Sequence, residues 1–161
     1  MFQPEVDGIY ATVHAAPARR WFGYGVLFSL GSVVLYTTLS HPPAVHWMLF
    51  MLIFGGLMLW LAERLRRATT MVITLTKDEL HDSSGTVLAR LEDVSSVERG
   101  AFALKPSNGF TLVMKHKCQR AWAPGMWWRM GYRVGVGGVT AAGQSRFMAE
   151  KIALRLKDVA K

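Results

Sequence analysis

The sequence predicts an α-helical hairpin able to cross a membrane, followed by an antiparallel α+β domain covered by a C-terminal amphipathic helix. Three observations carry this: two long uncharged runs near the start, a change to two-residue alternation near residue 70, and one apolar stripe of helical period at the end. Composition agrees, since 51% of the 161 residues are hydrophobic and 19% charged, against roughly 25% charge in an ordinary soluble domain. Lys and Arg number 19 against 11 Asp and Glu, a net charge of +8, which excludes an acidic or disordered chain. The single cysteine, Cys118, excludes an internal disulfide framework and builds no zinc-finger spacing.

Residues 1–18 form a short leading segment in which Ile9, Ala11 and Val13 alternate weakly, as a strand would. The hairpin occupies residues 19–67. Its first span runs from Trp21 to Ser40, 20 residues without a charge, enough at about 1.5 Å per residue for the roughly 30 Å hydrocarbon core. After His41-Pro42-Pro43, the second runs from Ala44 to Ala62. Backbone polar groups cannot go unpaired in lipid, so both spans are helices. Arg19 and Arg20 precede the first span, Arg64, Arg66 and Arg67 follow the second, and the connecting loop holds no Lys or Arg, which predicts cytoplasmic termini. Trp21, Trp47 and Trp60 fall near span ends, where indoles prefer the headgroup region. Gly25 with Ser29, and Gly55 with Gly56, offer small surfaces for close helix approach, either within the hairpin or onto a partner helix.

Arg19-Arg20-Trp21-Phe22 has the look of a twin-arginine export signal, but the apolar run is too long, no small-x-small cleavage site follows, and a second span comes next. His41 and His46 share one short loop instead of facing each other at mid-membrane depth, so haem ligation is disfavoured.

Residues 68–161 carry the soluble domain. Met71, Ile73 and Leu75 alternate with Val72, Thr74 and Thr76 as a half-buried strand, which Leu80 to Asp82 extends. Ser83-Ser84-Gly85 turns the chain, and Thr86 to Leu91 returns to complete a hairpin. Val94 and Val97 follow with irregular spacing; Phe102 to Lys105 make a short strand; Phe110, Leu112 and Met114 alternate in another; Tyr132 to Val136 form the last. Met148, Ile152, Leu156 and Val159 line one face of a helix over about residues 140–160, with Thr140 as its N-cap. Such an element order gives an α+β domain and disfavours a parallel sheet.

The order of these elements, the hairpin Ile73–Leu80 with Gly85–Val97, and the final helix resemble the bacterial pleckstrin-homology-like (PH-like) domain, which often follows a two-helix membrane anchor. The resemblance implies a partly open seven-stranded antiparallel barrel or sheet plugged by the C-terminal helix. It also implies a binding or scaffold role without catalysis, for some members in assembling membrane complexes, at the bacterial inner membrane.

Between Glu98 and Glu150 there is no carboxylate, while Arg99, Lys105, Lys115, Lys117, Arg120, Arg129, Arg133 and Arg146 are basic. Within this stretch, His116 to Arg133 is read as a loop that interleaves charge with Trp122, Met126, Trp127, Trp128, Met130 and Tyr132. Basic residues beside amphipathic aromatics suit a membrane interface or the membrane edge of a partner. The functional expectation therefore rests on Lys117, Arg120, Trp122, Met126, Trp127, Trp128, Arg129 and Arg133. The plainer alternative is that the tryptophans fill the core and the charges are solvated. Nucleic acid is disfavoured because the domain is tethered and lacks a single-strand-binding signature. A phosphoinositide site on the first hairpin is disfavoured by Asp78, Glu79 and Asp82 there.

The glycine run from Gly131 to Gly143 lacks the Lys-Ser/Thr of a phosphate loop and leads into the last helix, so it reads as a turn. Asp78, Glu79, His81 and Asp82 form a solvated hairpin end and not a metal site. Cys118 lies between Lys117 and Arg120, which would lower its pKa, but it has no nucleophile's partners. No catalytic residue, metal or cofactor is expected. The leading expectation is a non-enzymatic accessory, stabilising or assembly subunit of a larger integral membrane complex; the alternative is an autonomous scaffold or sensor for anionic phospholipid, and a small membrane enzyme or redox subunit ranks third.

Overall fold

A computed structural model of the chain describes residues 8–99 and 106–159. It divides into two compact units, a helical unit Pro17–Arg67 and a domain built from the chain before Pro17 together with the chain from Ala68 onward.

In the helical unit, α1 (Pro17–Ser40) and α2 (Val45–Ala68) have 24 residues each, long and apolar enough to cross a membrane. Helix α1 begins at Pro17, whose fixed φ and missing N–H suit a first helical position. Helix α2 continues beyond the expected span through residues 63–67, all charged but Leu65. The hydroxyls of Thr37 and Thr38 donate to the carbonyls of Val33 and Val34 at 2.9 and 2.6 Å, so neither is left unpaired. The two helices meet at Gly31 and Gly55. A methyl group added at Gly55 would stand 2.7 Å from Cγ of Leu35, and one at Gly31 would stand 3.0 Å from the Gly55 carbonyl oxygen. Of the four small residues expected at helix contacts, Gly55 alone lies in this one: Gly25 and Gly56 have open space where a side chain would begin, and Ser29 is exposed.

In the domain, β1 (Ala11–Val13), β2 (Ile73–Leu75), β3 (Glu79–Asp82) and β4 (Val87–Arg90) form one antiparallel sheet in that order. Strand β1 precedes the helices and β2 follows them, yet they are neighbours, with Ala11 opposite Leu75 and Val13 opposite Ile73. The leading residues, set apart in the sequence reading, thus supply an edge strand whose Val13 is fully buried. Residues 80–82, read as continuing the strand before them, instead fold back on it. Lys77 and Asp78 occupy a tight turn in which the Thr76 N–H donates to the Glu79 carbonyl at 2.9 Å.

A short 3-10 turn, Leu91–Asp93, leads into the second sheet, β5 (Val94–Glu98), β6 (Phe110–Ala123) and β7 (Trp127–Val136), also antiparallel. Among the described residues both sheets are open, and the hydrogen-bonded strands form no closed barrel. The short strand expected at Phe102 to Lys105 lies outside the described residues. Helix α3 (Ala142–Val159) buries Met148, Ala149 and Ile152 in a core that includes Ile73, Leu75, Leu80, Leu88, Phe110, Leu112, Val134 and Val136. Thr140 is not a cap. Its residue bridges Ala15, and its hydroxyl donates to the Asn108 carbonyl at 3.3 Å and meets that of Ser145.

Candidate interaction surfaces

The segment read as a basic aromatic loop, residues 116–133, is a β-hairpin, and the strands expected over 110–114 and 132–136 are its outer parts. It is also sharply bent. Strand β6 has 14 residues against 10 in β7, and its register slips between Val113 and Cys118 and again between Cys118 and Ala121. Extra residues on one strand bend the pair and put that strand on the outside. On the inside, Gly131 has φ of +60°, a conformation that side chains resist. The alternation reverses there: Trp127 faces the core before it, and Val134 and Val136 face the core after it. The bend brings the hairpin tip back to the end of its own strand. The N–H of Gly137 donates to Met126 O at 2.8 Å, and that of Val139 to Gly125 O at 2.9 Å. Across the bend the Trp128 indole lies over Gly135, where an added Cβ would come within 2.4 Å of the ring.

Buried polar contacts hold this shape. Asp82, 1% exposed, accepts on Oδ1 from the N–H groups of Ser84 and Thr86, at 2.9 and 3.0 Å, and from the Ser84 hydroxyl. Its Oδ2 accepts from the Trp127 indole at 3.2 Å, which joins the β3–β4 turn to the hairpin tip. Arg129 donates from Nε to Gln119 O at 2.8 Å and from Nη1 to Val87 O at 2.7 Å, joining β7 to the edge of the other sheet.

These contacts sort the residues expected at a membrane or partner surface. Met126 and Trp127 are in the core, and for Trp127, though not for the exposed Trp122, this is where the plainer alternative put the tryptophans. Arg129 is committed to two carbonyls, and Arg133 pairs with Glu98 at 3.5 Å. Lys117, Arg120 and Trp122 are exposed, Trp128 is half-buried, and the neighbouring Met130 and Tyr132 are also exposed. Trp122 sits directly opposite Trp128, and with Arg120, Ala121, Arg129 and Met130 they line a shallow groove of about 520 Å³. Arg120 reaches the Met130 sulfur at 3.7 Å, and no ion pair to a carboxylate forms at either Lys117 or Arg120 among the described residues. The positive region is thus narrower than the run without carboxylates suggests, since Arg99 also reaches Glu150 at 3.8 Å. The pKa of Cys118 is raised, first by burial and only partly offset by the charge of Arg129, the reverse of the expected direction.

The second surface belongs to the helical unit. Arg66 and Arg67 both grip Glu63, at 2.7 and 2.6 Å, while Arg20 lies over the Trp21 ring and Arg64 over that of Trp60, at 5.5 and 5.3 Å from the centroids. Four of the five expected topology anchors are thereby fixed at helix ends, and Arg19 is exposed. Large apolar side chains such as Phe22, Tyr36, Leu39 and Ile53 face outward along α1 and α2. Sequence reasoning missed Gly31, and its readings of Asp82 as part of a solvated hairpin end and of Gly131 and Gly135 as part of a turn are corrected, since Asp82 is buried and both glycines lie within β7. Lone glycines inside strand patterns are signals for bulges and close approach, and Asp before Ser-Ser-Gly signals a side-chain-capped turn.

Compared with family models, curated proteins and solved structures, the chain matches none.

Proposed function

We propose that the protein is a non-catalytic accessory, stabilising or assembly subunit of a larger integral membrane complex, anchored by α1 and α2 and carrying a PH-like domain. The observation that carries this reading is that the helix pair does not use its surplus small residues. Gly31 and Gly55 close the hairpin, whereas Gly25, Ser29 and Gly56 stay outside that contact. Lipid tails give two helices no hydrophobic reason to associate, so small outward residues that admit another backbone favour a partner helix. The PH-like reading of the domain draws support from seven strands in sheets of four and three and a C-terminal helix.

The membrane in this reading is the bacterial inner membrane, with both ends cytoplasmic. Five arginines flank the spans and none lies in the loop between them. Pairing of β1 with β2 supports the same topology, because strands on either side of the helices share a sheet only if the chain returns to the side it left.

The test is gentle extraction of the tagged full chain from its native membrane, with mass spectrometry of proteins recovered at near-equal stoichiometry. A defined set of integral partners, lost on Gly25→Leu with Gly56→Leu but not on Trp122→Ser, is expected. Recovery of the chain alone overturns the subunit reading in favour of an autonomous lipid-associated scaffold.

A further inference from the structure

We infer that the outward face of the β6–β7 hairpin seats on anionic phospholipid at the bilayer surface, Lys117 and Arg120 meeting headgroups and Trp122, Trp128 and Met130 reaching the acyl boundary. This goes beyond the subunit reading and rests only on α1 and α2 crossing a membrane.

Charge fixes the sign of the occupant. Among the described residues neither Lys117 nor Arg120 forms an ion pair to a carboxylate, while Arg133 and Arg129, on the same hairpin, are satisfied within the domain. The hairpin therefore presents two exposed cations, Lys117 and Arg120, the second of them lining an apolar groove, a pairing that matches a phosphate-bearing surface with hydrocarbon beneath it. The long side chains that line the groove are indole, thioether and guanidinium, with Trp122 49% and Met130 54% exposed, and Tyr132, farther along β7, is 56% exposed. Such rings favour the depth in a bilayer where water gives way to acyl chain.

Connectivity selects lipid over an acidic protein. Helix α2 ends at Ala68 and β2 begins at Ile73, so a short tether keeps a bilayer within reach of the domain at all times. A tethered contact needs little intrinsic affinity, because the effective concentration of the surface is high. Rigidity favours it further: with the tip pinned by Trp127 and the bend set by Gly131, the exposed aromatics are already ordered before they meet lipid.

The experiment reconstitutes the purified full chain, without partners, into nanodiscs of phosphatidylcholine alone or with phosphatidylglycerol, and follows amide hydrogen exchange by mass spectrometry. Peptides over residues 116–133 are expected to exchange roughly thirtyfold more slowly in anionic discs, the effect of two basic side chains at such a surface. High salt should remove the difference. Lys117→Glu with Arg120→Glu should abolish it while exchange in β2 to β4 stays unchanged, which shows the domain still folded. Equal exchange in both disc types overturns the inference, as does slowing in neutral discs that survives high salt. Slowing that appears only when a subunit from the extraction experiment is added back also overturns it and makes the face a protein interface. Failure of the subunit reading is visible separately, in the extraction experiment.

Discussion

The indole nitrogen of Trp127 donates to a buried oxygen of Asp82 at 3.2 Å, tying the tip of the β6–β7 hairpin to the turn after β3 across 45 residues of sequence. The other carboxylate oxygen is occupied by donors from Ser84 and Thr86. Removing one partner of a buried pair leaves the other desolvated and unmet, which costs more than the bond itself is worth. Trp127→Phe is therefore expected to destabilise the domain by about 1–3 kcal/mol. Trp122→Phe, on the exposed face opposite Trp128, should change stability by less than about 0.5 kcal/mol. Denaturant unfolding of the detergent-solubilised chain measures both, and equal effects would show that the two tryptophans share one role.

This pair also marks where sequence reading reached its limit. The two spans, the strands around Ile73, Leu88 and Leu112, and the stripe Met148-Ile152 were legible because each is a local periodicity that burial enforces. The hairpin at 116–133 was not. Its alternation is broken twice in β6 and reversed at Gly131, so no period of two survives in a window long enough to read. The burial of Trp127 goes with contacts of the tip to Asp82 and to Gly137, of which Asp82 is remote in sequence. Likewise, choosing Gly31 over Gly25 as the partner of Gly55 requires the angle at which the helices meet.

At that helix contact, Gly55→Ile would place a branched side chain where even a methyl group lies 2.7 Å from Leu35. The helices must separate. Helix axes that share glycine contacts sit near the close end of the usual 8–10 Å range, so a separation of about 2 Å is expected. Spin labels at the exposed positions Phe28 and Leu57 would report it by pulsed electron resonance. Gly56→Ile should leave that distance unchanged, since nothing lies within 4 Å of its added Cβ.

The Trp128 indole can lie over residue 135 only while that residue is glycine. Gly135→Val must displace the ring and open the groove it shares with Trp122. In a spectrum of the chain labelled on indole nitrogen, the Trp128 signal is expected to move and the Trp127 signal to hold its position. A shift confined to Trp127 would place the strain at the tip instead.

Burial raises the pKa of Cys118 despite the nearby charge of Arg129. The thiolate, which is the reactive form, is thereby suppressed near neutral pH. Alkylation of the folded chain by iodoacetamide should be slower than that of the unfolded chain, and its rate should climb at a higher pH. Because the folded form holds the proton more tightly, this group adds stability below the unfolded thiol's pKa, and that contribution is lost as pH rises through the folded value. Arg129→Gln removes the one favourable charge and should move the profile higher still. A folded profile at or below the unfolded one would contradict burial as the dominant cause.

Insertion of the helical unit between two adjacent strands makes the domain depend on residues that are translated before α1 and α2. Val13 is fully buried opposite Ile73, so a carboxylate there would enter the core without a partner. Val13→Asp is expected to destabilise the domain by about 3 kcal/mol or more, as severely as Ile73→Asp, although the two positions are 60 residues apart. Limited proteolysis of the detergent-solubilised chain would detect this as cleavage within β2 to β4. A Val13→Asp domain as resistant as the unaltered one would mean that β1 is dispensable, and would remove the sheet's support for placing both ends of the chain on one side of the membrane.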